Sequence, residues 1–260
     1  SDQLLGGKPF RFRGDEKPHV VFMIGEKEYD TASTLPLFAQ KHLEYRGIRC
    51  TFVHVNKEDP DNFAGIGALK DADLLFLSVR RRTPPKAQLD LIRAHLAKGK
   101  PLVGIRTASH AFDREPPSQR HARWTQFDDE ILGVDYRQHY GNRPPKDPAT
   151  VIQATVSGTK HPILTGVTQD AFEAKSHLYK NKLVATTVTV LMTGTLSGRA
   201  EISEPVAWTN EVNGSRIFYT SLGGVGDFSL PAFQRLLLNG VLWALDKPLP
   251  PADPRVVARK

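Results

Sequence analysis

The apolar positions of this chain follow two patterns, and the change comes near its middle. In the first half, short apolar runs alternate with stretches whose apolar residues recur every three to four positions. Val20-Val21-Phe22-Met23-Ile24 is one such run, preceded by His19 and closed by Gly25. Residues 50–55 alternate as a strand would, 73–79 are continuous enough for burial on both faces, and 102–105 form a fourth run. Between them, Leu35, Phe38 and Leu43 share one helical face, ended by Gly47. Leu89, Ile92, Leu96 and Ala97 share another, opened by Pro84-Pro85 and stopped by Gly99. Strands separated by helices of this length need crossover connections, so the pattern predicts right-handed βαβ units and a parallel sheet.

The second half predicts loops and short strands. Residues 114–123 are polar and read as a long loop, 124–131 as a short helix, and 141–148 as a proline-rich loop. Strands are expected at 151–156, 171–174, 188–193 and 205–209. Asn213-Gly214 then marks a hairpin, because the pair accepts the positive φ angles of a type I′ turn, with 216–222 as the return strand. After the loop Gly223-Gly224-Val225-Gly226, a last helix is read from Phe233, Leu236, Leu237, Val241 and Leu242. One domain is expected over 1–247, with a proline- and charge-rich tail at 248–260 on the surface.

Composition narrows the function classes. Of the 260 residues, 40% are hydrophobic and 24% charged, as in an ordinary globular domain. No apolar run approaches the roughly 20 residues that cross a bilayer, so no membrane span is expected. The single cysteine, Cys50, excludes a disulfide within the chain and a cysteine-rich metal site, and it reads as a buried structural thiol. Ser1 stands first, which fits removal of an upstream segment, and the compartment stays open. The net charge of +7 is spread along the chain rather than gathered on one helix or tail, so nucleic acid is not the expected partner. The one local run, Arg80-Arg81-Arg82, suits a pocket for a polar or anionic small molecule.

Candidate chemistry centres on Gly104-Ile105-Arg106-Thr107-Ala108-Ser109-His110, where a buried strand runs into a turn of small residues. Strand followed by elbow is where α/β enzymes lift a nucleophile out of the sheet. Ligands of open parallel sheets collect beyond the carboxyl ends of the strands, and that rule nominates residues from several of them. Arg106 and Arg80 offer planar forks for an anionic or vicinal-diol group; the alternative for Arg106 is an ion pair with Glu26 or Asp30. Arg81 and Arg82 read as solvated. His110 and Glu26 are the acid–base candidates, and Ser109 reads as a hydrogen-bonding or capping residue rather than a nucleophile. His139, His177 and Tyr179 are substrate-binding candidates that would close the cleft from the second half. A metal would need three of His54, His110, His139 and His177 around one ion, and no paired-histidine spacing supports it. No metal and no cofactor is expected.

Pro205-Val206-Ala207-Trp208 leads to Arg216-Ile217-Phe218-Tyr219-Thr220-Ser221-Leu222-Gly223, followed by Pro231-Ala232-Phe233 and Leu242-Trp243-Ala244. With His161-Pro162-Ile163-Leu164-Thr165-Gly166, this ordered series over residues 18–247 resembles the ThuA-like (trehalose-utilisation) family. The resemblance implies an α/β three-layer sandwich of the class I glutamine amidotransferase type, with a mostly parallel central sheet extended by antiparallel strands. Triad amidotransferases carry Gly-Ile-Cys-x-Gly-His at the elbow, and Arg106 stands at the cysteine position; many ThuA-like relatives have histidine there. Gly223-Gly224 replaces the family's frequent Gly-His, and Ser176-His177-Leu178-Tyr179 its frequent Asp-Glu-x-Tyr. What the resemblance implies is a role in carbohydrate metabolism, acting on or binding a sugar or oxidised sugar without the amidotransferase nucleophile. The alternatives are a non-catalytic sugar-binding module and a metal-dependent hydrolase. A small sugar is the expected partner, and self-association is left open.

Overall fold

The apolar run after Pro18 becomes β1 (His19–Gly25), buried along its whole length, in a computed structural model that describes residues 17–55, 58–168 and 170–252. It is followed by α1 (Thr31–His42), β2 (Arg49–His54), β3 (Leu74–Val79), α2 (Lys86–Ala97) and β4 (Leu102–Ile105). The second half supplies β5 (Val134–His139), β6 (Thr150–Ala154), β7 (Phe172–Ala174), β8 (Tyr179–Leu183), β9 (Thr189–Leu196), β10 (Arg199–Val212), β11 (Ser215–Thr220) and α3 (Pro231–Ala244). Asn56, just past the second predicted strand, and residues 253–260 of the tail lie outside the described residues.

Among the described residues nine strands form one sheet in the order β2-β1-β3-β4-β11-β10-β9-β6-β7, while β5 and β8 pair separately. The neighbours from β2 to β11 run parallel, and every pairing from β11 onward is antiparallel. The sheet is therefore mixed rather than mostly parallel. The physical reason is connection length: β9, β10 and β11 follow one another through short turns, and a short turn can join only antiparallel neighbours. The β10–β11 turn has Asn213 at φ 50° and Gly214 at φ 79°, the positive pair that the sequence predicts.

Alternate residues of the parallel strands feed two cores. Phe22, Phe76, Val103 and Phe218 pack with Leu35 and Phe38 of α1 and with Phe233, Leu236 and Leu237 of α3. Met23, Leu77, Leu102 and Tyr219 face the other way, onto Leu89, Ile92 and Leu96 of α2. These helix–sheet–helix layers hold the carboxyl ends of β1, β3 and β4 side by side. At the antiparallel side, the Trp208 indole N–H donates to the Leu132 carbonyl at 2.9 Å, and the Asn210 amide to that of Ile131 at 2.9 Å. The turn at Asp128–Leu132 is thereby tied to β10 and closed by Gly133, at φ 77°. A Cβ on Gly133 would lie 2.5 Å from Val188, so both the backbone angle and the close approach demand glycine. Among the described residues no helix is long and apolar enough to cross a membrane.

Candidate functional site

β4 runs directly into a turn of 3-10 helix at Arg106–His110, and Arg106 takes φ 50°. That left-handed conformation is uncommon for any residue but glycine and is the backbone device of an elbow. Here it lifts a guanidinium, and the guanidinium is buried, with Arg106 only 1% exposed. Its Nη1 donates to the carbonyl of His177 at 3.0 Å and to that of Ser221. Nη2 lies 3.5 Å from the Tyr29 hydroxyl. Its Cζ sits 4.7 Å from the Tyr29 ring centroid and 4.1 Å from that of Tyr179, a cation between two aromatic faces. Among the described residues Arg106 forms no ion pair, with Glu26, Asp30 or any other carboxylate. The clamp expected of Arg106 is thus spent inside the protein, where it fastens the elbow to the segments at 177 and 221.

Glu26, expected as an acid–base group, is equally occupied. One carboxylate oxygen accepts from the backbone N–H of Glu28 at 2.6 Å and of Tyr29 at 2.7 Å. The other accepts from the N–H and the hydroxyl of Thr31, at 2.8 and 2.5 Å. Four donors fill the roughly four lone-pair sites of a carboxylate, leaving none for a substrate proton. Glu26 instead folds the loop between β1 and α1, which sets the position of Tyr29. Arg80 lies at the end of β3, half-exposed, with Nε 3.1 Å from Glu28. Arg81 is exposed and 3.8 Å from Asp113. Arg82, expected to be solvated, is buried and donates from Nε to the Gly25 carbonyl at 2.8 Å.

The histidines lie together with tyrosines at this edge of the sheet. His110 is 7% exposed, with Nδ1 3.1 Å from the Ser109 hydroxyl and its ring stacked on Tyr136 at 4.3 Å. Ser109 is buried, and its hydroxyl also reaches the Arg106 carbonyl at 3.4 Å. His177 has Nε2 3.2 Å from the Tyr29 hydroxyl and stacks on the exposed His139 at 4.4 Å. Burial first, and then the cations Arg81, Arg80 and Arg106, pull His110 down to about 3. Burial and then Arg106 do the same to His177, also to about 3, and burial followed by Arg106 lowers His139. All three rest as neutral imidazoles at pH 7, so each has one ring N–H to donate and one lone pair open to a hydrogen bond or an incoming proton. Tyr179 is buried, with its hydroxyl 3.4 Å from that of Tyr29.

Three members were not singled out by sequence. Tyr29 lies three residues beyond Glu26 and Tyr136 three residues before His139, so both sat beside nominated residues. Asp227 was the harder one. It is fully buried and accepts from Lys175 N at 2.6 Å, the Ser176 hydroxyl at 2.5 Å, Gly223 N at 2.8 Å and Gly224 N at 3.0 Å. It fixes the loop before His177 against the loop after β11. The available signal was a glycine-rich loop, full of free N–H groups, with one carboxylate.

A cavity of about 200 Å³ adjoins this cluster, with His110 and Tyr136 in its lining together with Trp124, Asp113 and the carboxylates of Asp128, Asp129 and Asp135. The last three have oxygens within 4.8 Å of one another, close enough to share a cation, whereas His54, His110, His139 and His177 form no such group among the described residues. Asp128 is raised to about 6 by burial and then by its neighbour Asp129. A larger hollow of about 490 Å³ opens at the amino ends of the parallel strands, near Lys17, Asp73, Arg216 and Asp246. It holds none of the imidazoles, and the carboxyl edge is where the titratable groups converge.

The profile of the ThuA family, described as trehalose utilisation, matches residues 15–244. No curated protein sequence matches the chain significantly. A ThuA-like protein from Bacteroides uniformis is similar in structure at TM-score 0.65 and 17% identity, over 92% of this chain and 95% of that one. Another from Parabacteroides merdae has TM-score 0.64 and 15% identity, over 92% and 96%. The carbohydrate deacetylase Agd3 has TM-score 0.60 and 12% identity, over 88% of this chain and 32% of its own length. At these identities the structural likeness shows the shared fold, and the profile match across most of the chain shows the family: this chain belongs to the ThuA, or trehalose-utilisation, family.

Proposed function

We propose that this chain binds a sugar or oxidised sugar at the carboxyl ends of β1, β3 and β4 and acts on it by proton transfer, without amidotransferase chemistry. The observation that carries this reading is the convergence of His110, His177, His139, Tyr29, Tyr136 and Tyr179 around a buried cation. The membership in a carbohydrate-related family supports the substrate class. Neutral imidazoles and phenols match the donors and acceptors of sugar hydroxyls. His110 is the group for taking a proton from carbon or oxygen. The Tyr29–His177 pair faces a carbonyl or hydroxyl oxygen. Arg106 contributes a fixed positive field that favours negative charge developing on that oxygen, and it does so from behind the tyrosine rings. Ser109 orients His110, and Arg80 lies at the rim. The thiol is no nucleophile: burial pushes Cys50 up to about 12, so glutamine should not be hydrolysed.

The test is calorimetric titration with neutral sugars and their keto derivatives, on the native protein and on Tyr29→Phe and His177→Ala. Binding that weakens at least tenfold in both variants supports the cleft; native protein that binds none of these sugars rejects it. A second reading, a sugar-binding module without turnover, is favoured by the filled valences of Glu26 and the arginine at the elbow. Deuterium incorporation beside the carbonyl of a bound keto-sugar decides between them. Exchange that His110→Gln abolishes establishes proton transfer, and binding without exchange establishes the module.

A further inference from the structure

The cavity behind His110 has a donor–acceptor balance that selects its occupant. Its charged lining is carboxylate only, from Asp113, Asp128, Asp129 and Asp135. One acceptor there lacks a partner: among the described residues no hydrogen bond reaches Nε2 of His110, a residue only 7% exposed. The Ser109 hydroxyl can donate to the Arg106 carbonyl while accepting from Nδ1–H of His110, which leaves Nε2 with a free lone pair. An occupant must therefore bring donors, and it must not bring negative charge. Trp124, which carries the Arg93 guanidinium over its ring, and Tyr136, stacked on His110, line the same space, and their ring atoms supply apolar contact for the C–H side of a ring. At about 200 Å³ the cavity is smaller than the roughly 300–1,000 Å³ of pockets for drug-sized ligands, so it holds one small ring.

We infer that this cavity is the sugar subsite of the proposed cleft: it takes a single uncharged, hydroxyl-rich monosaccharide unit, and it rejects sugar acids and sugar phosphates. The inference rests on the reading above that the carboxyl edge binds a sugar. It deepens that reading by placing the sugar ring on the acidic side of the His110–Tyr136 pair, with Asp129 and Asp135 as specificity-determining residues. Asp129 is exposed, so changing it to asparagine leaves the core intact.

The test titrates one hexose, its uronic acid and its 6-phosphate into the native protein and Asp129→Asn, with Trp124 fluorescence as the local reporter and a melting curve on each sample. The native protein should bind the neutral sugar at least tenfold more tightly than either anion, and binding should change the Trp124 emission. In Asp129→Asn the neutral sugar should bind roughly tenfold more weakly, with one charged acceptor gone, and the preference over the anions should narrow. Equal or tighter binding of the acid or phosphate overturns the inference. So does neutral-sugar binding that ignores Asp129→Asn and leaves Trp124 silent but is lost in His177→Ala; that pattern keeps the cleft and moves the ring elsewhere. Failure of every sugar and keto-sugar to bind the native protein removes the parent reading as well.

Discussion

Two regions of opposite character meet at the His110–Tyr136 stack. On one side, Arg106 sits buried between Tyr29 and Tyr179, and the polar atoms there are largely committed to one another. On the other, Asp128, Asp129 and Asp135 crowd their carboxylates around open space. The first region is a positive, closely bonded frame, and the second is a negative one around a cavity. The difference teaches where each kind of residue is used. A charge that holds geometry is enclosed and bonded. The cavity carboxylates, though Asp135 pairs with Arg137 and Asp128 accepts from the Tyr136 N–H, border open space, and on the inference above they are the ones that meet a ligand.

If that contrast is right, damage to the frame should appear as lost stability and damage to the cavity as altered specificity. The largest effect is expected from Arg106→Ala. It removes both donors from the carbonyls of His177 and Ser221 and leaves two tyrosine faces without their cation. Leaving those two carbonyls without their donor costs about 1–3 kcal/mol each, read from urea denaturation. Unchanged stability with lost sugar affinity would instead return Arg106 to the role of ligand clamp. Glu26→Gln comes next. Its amide N–H₂ would point at two of the four donors that the carboxylate now accepts, costing about 2 kcal/mol by the same measurement. A loss of catalysis with unchanged stability would restore the acid–base role.

How much of this was legible in the sequence differs between the same two regions. The parallel strands came through because each is a short apolar run bounded by helix signals, and the carboxyl-edge rule then placed Glu26, Arg80, Arg106 and His110 on neighbouring strands. The elbow was visible as a strand running into small residues. The use of its arginine was not, because the partners are carbonyls and rings more than 70 residues away, with no local pattern. β5 and β8 were missed for a similar reason. Tyr136-Arg137-Gln138-His139 and Tyr179-Lys180-Asn181-Lys182 are polar segments whose pairing is set by tertiary contact rather than by alternation. The acidic cavity joins Asp128 and Asp129 to Asp135 across a turn held by Trp208 and Asn210, and sequence spacing gives no hint of it.

The two regions should also respond to pH with opposite sign. His110 is held at about 3 in the fold, against 6.5 when unfolded, so between those values the unfolded chain binds the extra proton. Its contribution to stability is therefore present above pH 6.5 and lost as pH falls toward 3, amounting to about 2 kcal/mol at pH 5. Urea denaturation at pH 7 and pH 5 should show this loss in the native protein and a smaller one in His110→Gln. Equal slopes in the two would mean that the imidazole accepts its proton in the fold.

Asp128 supplies the reverse case and the smallest effect. Burial, reinforced by Asp129, raises it to about 6, above the ordinary 3.8 of the unfolded chain. Between these values the folded protein binds the extra proton, so folding is favoured at the acid end and stability falls as pH rises from about 4 to 6. Above pH 6 the fold carries a carboxylate that would rather be neutral. Asp128→Asn keeps an oxygen to accept from the Tyr136 N–H, now 2.9 Å from the carboxylate, and removes the charge. It should raise stability at pH 7.5 by roughly 1 kcal/mol, a figure reduced for a group still partly open to solvent, and by nothing at pH 4, where the native side chain is already protonated. Denaturation midpoints at the two pH values measure the difference directly. A gain that is the same at both would trace to packing, and no gain at pH 7.5 would mean that a counter-charge such as Arg137, paired with Asp135, already relieves the cluster.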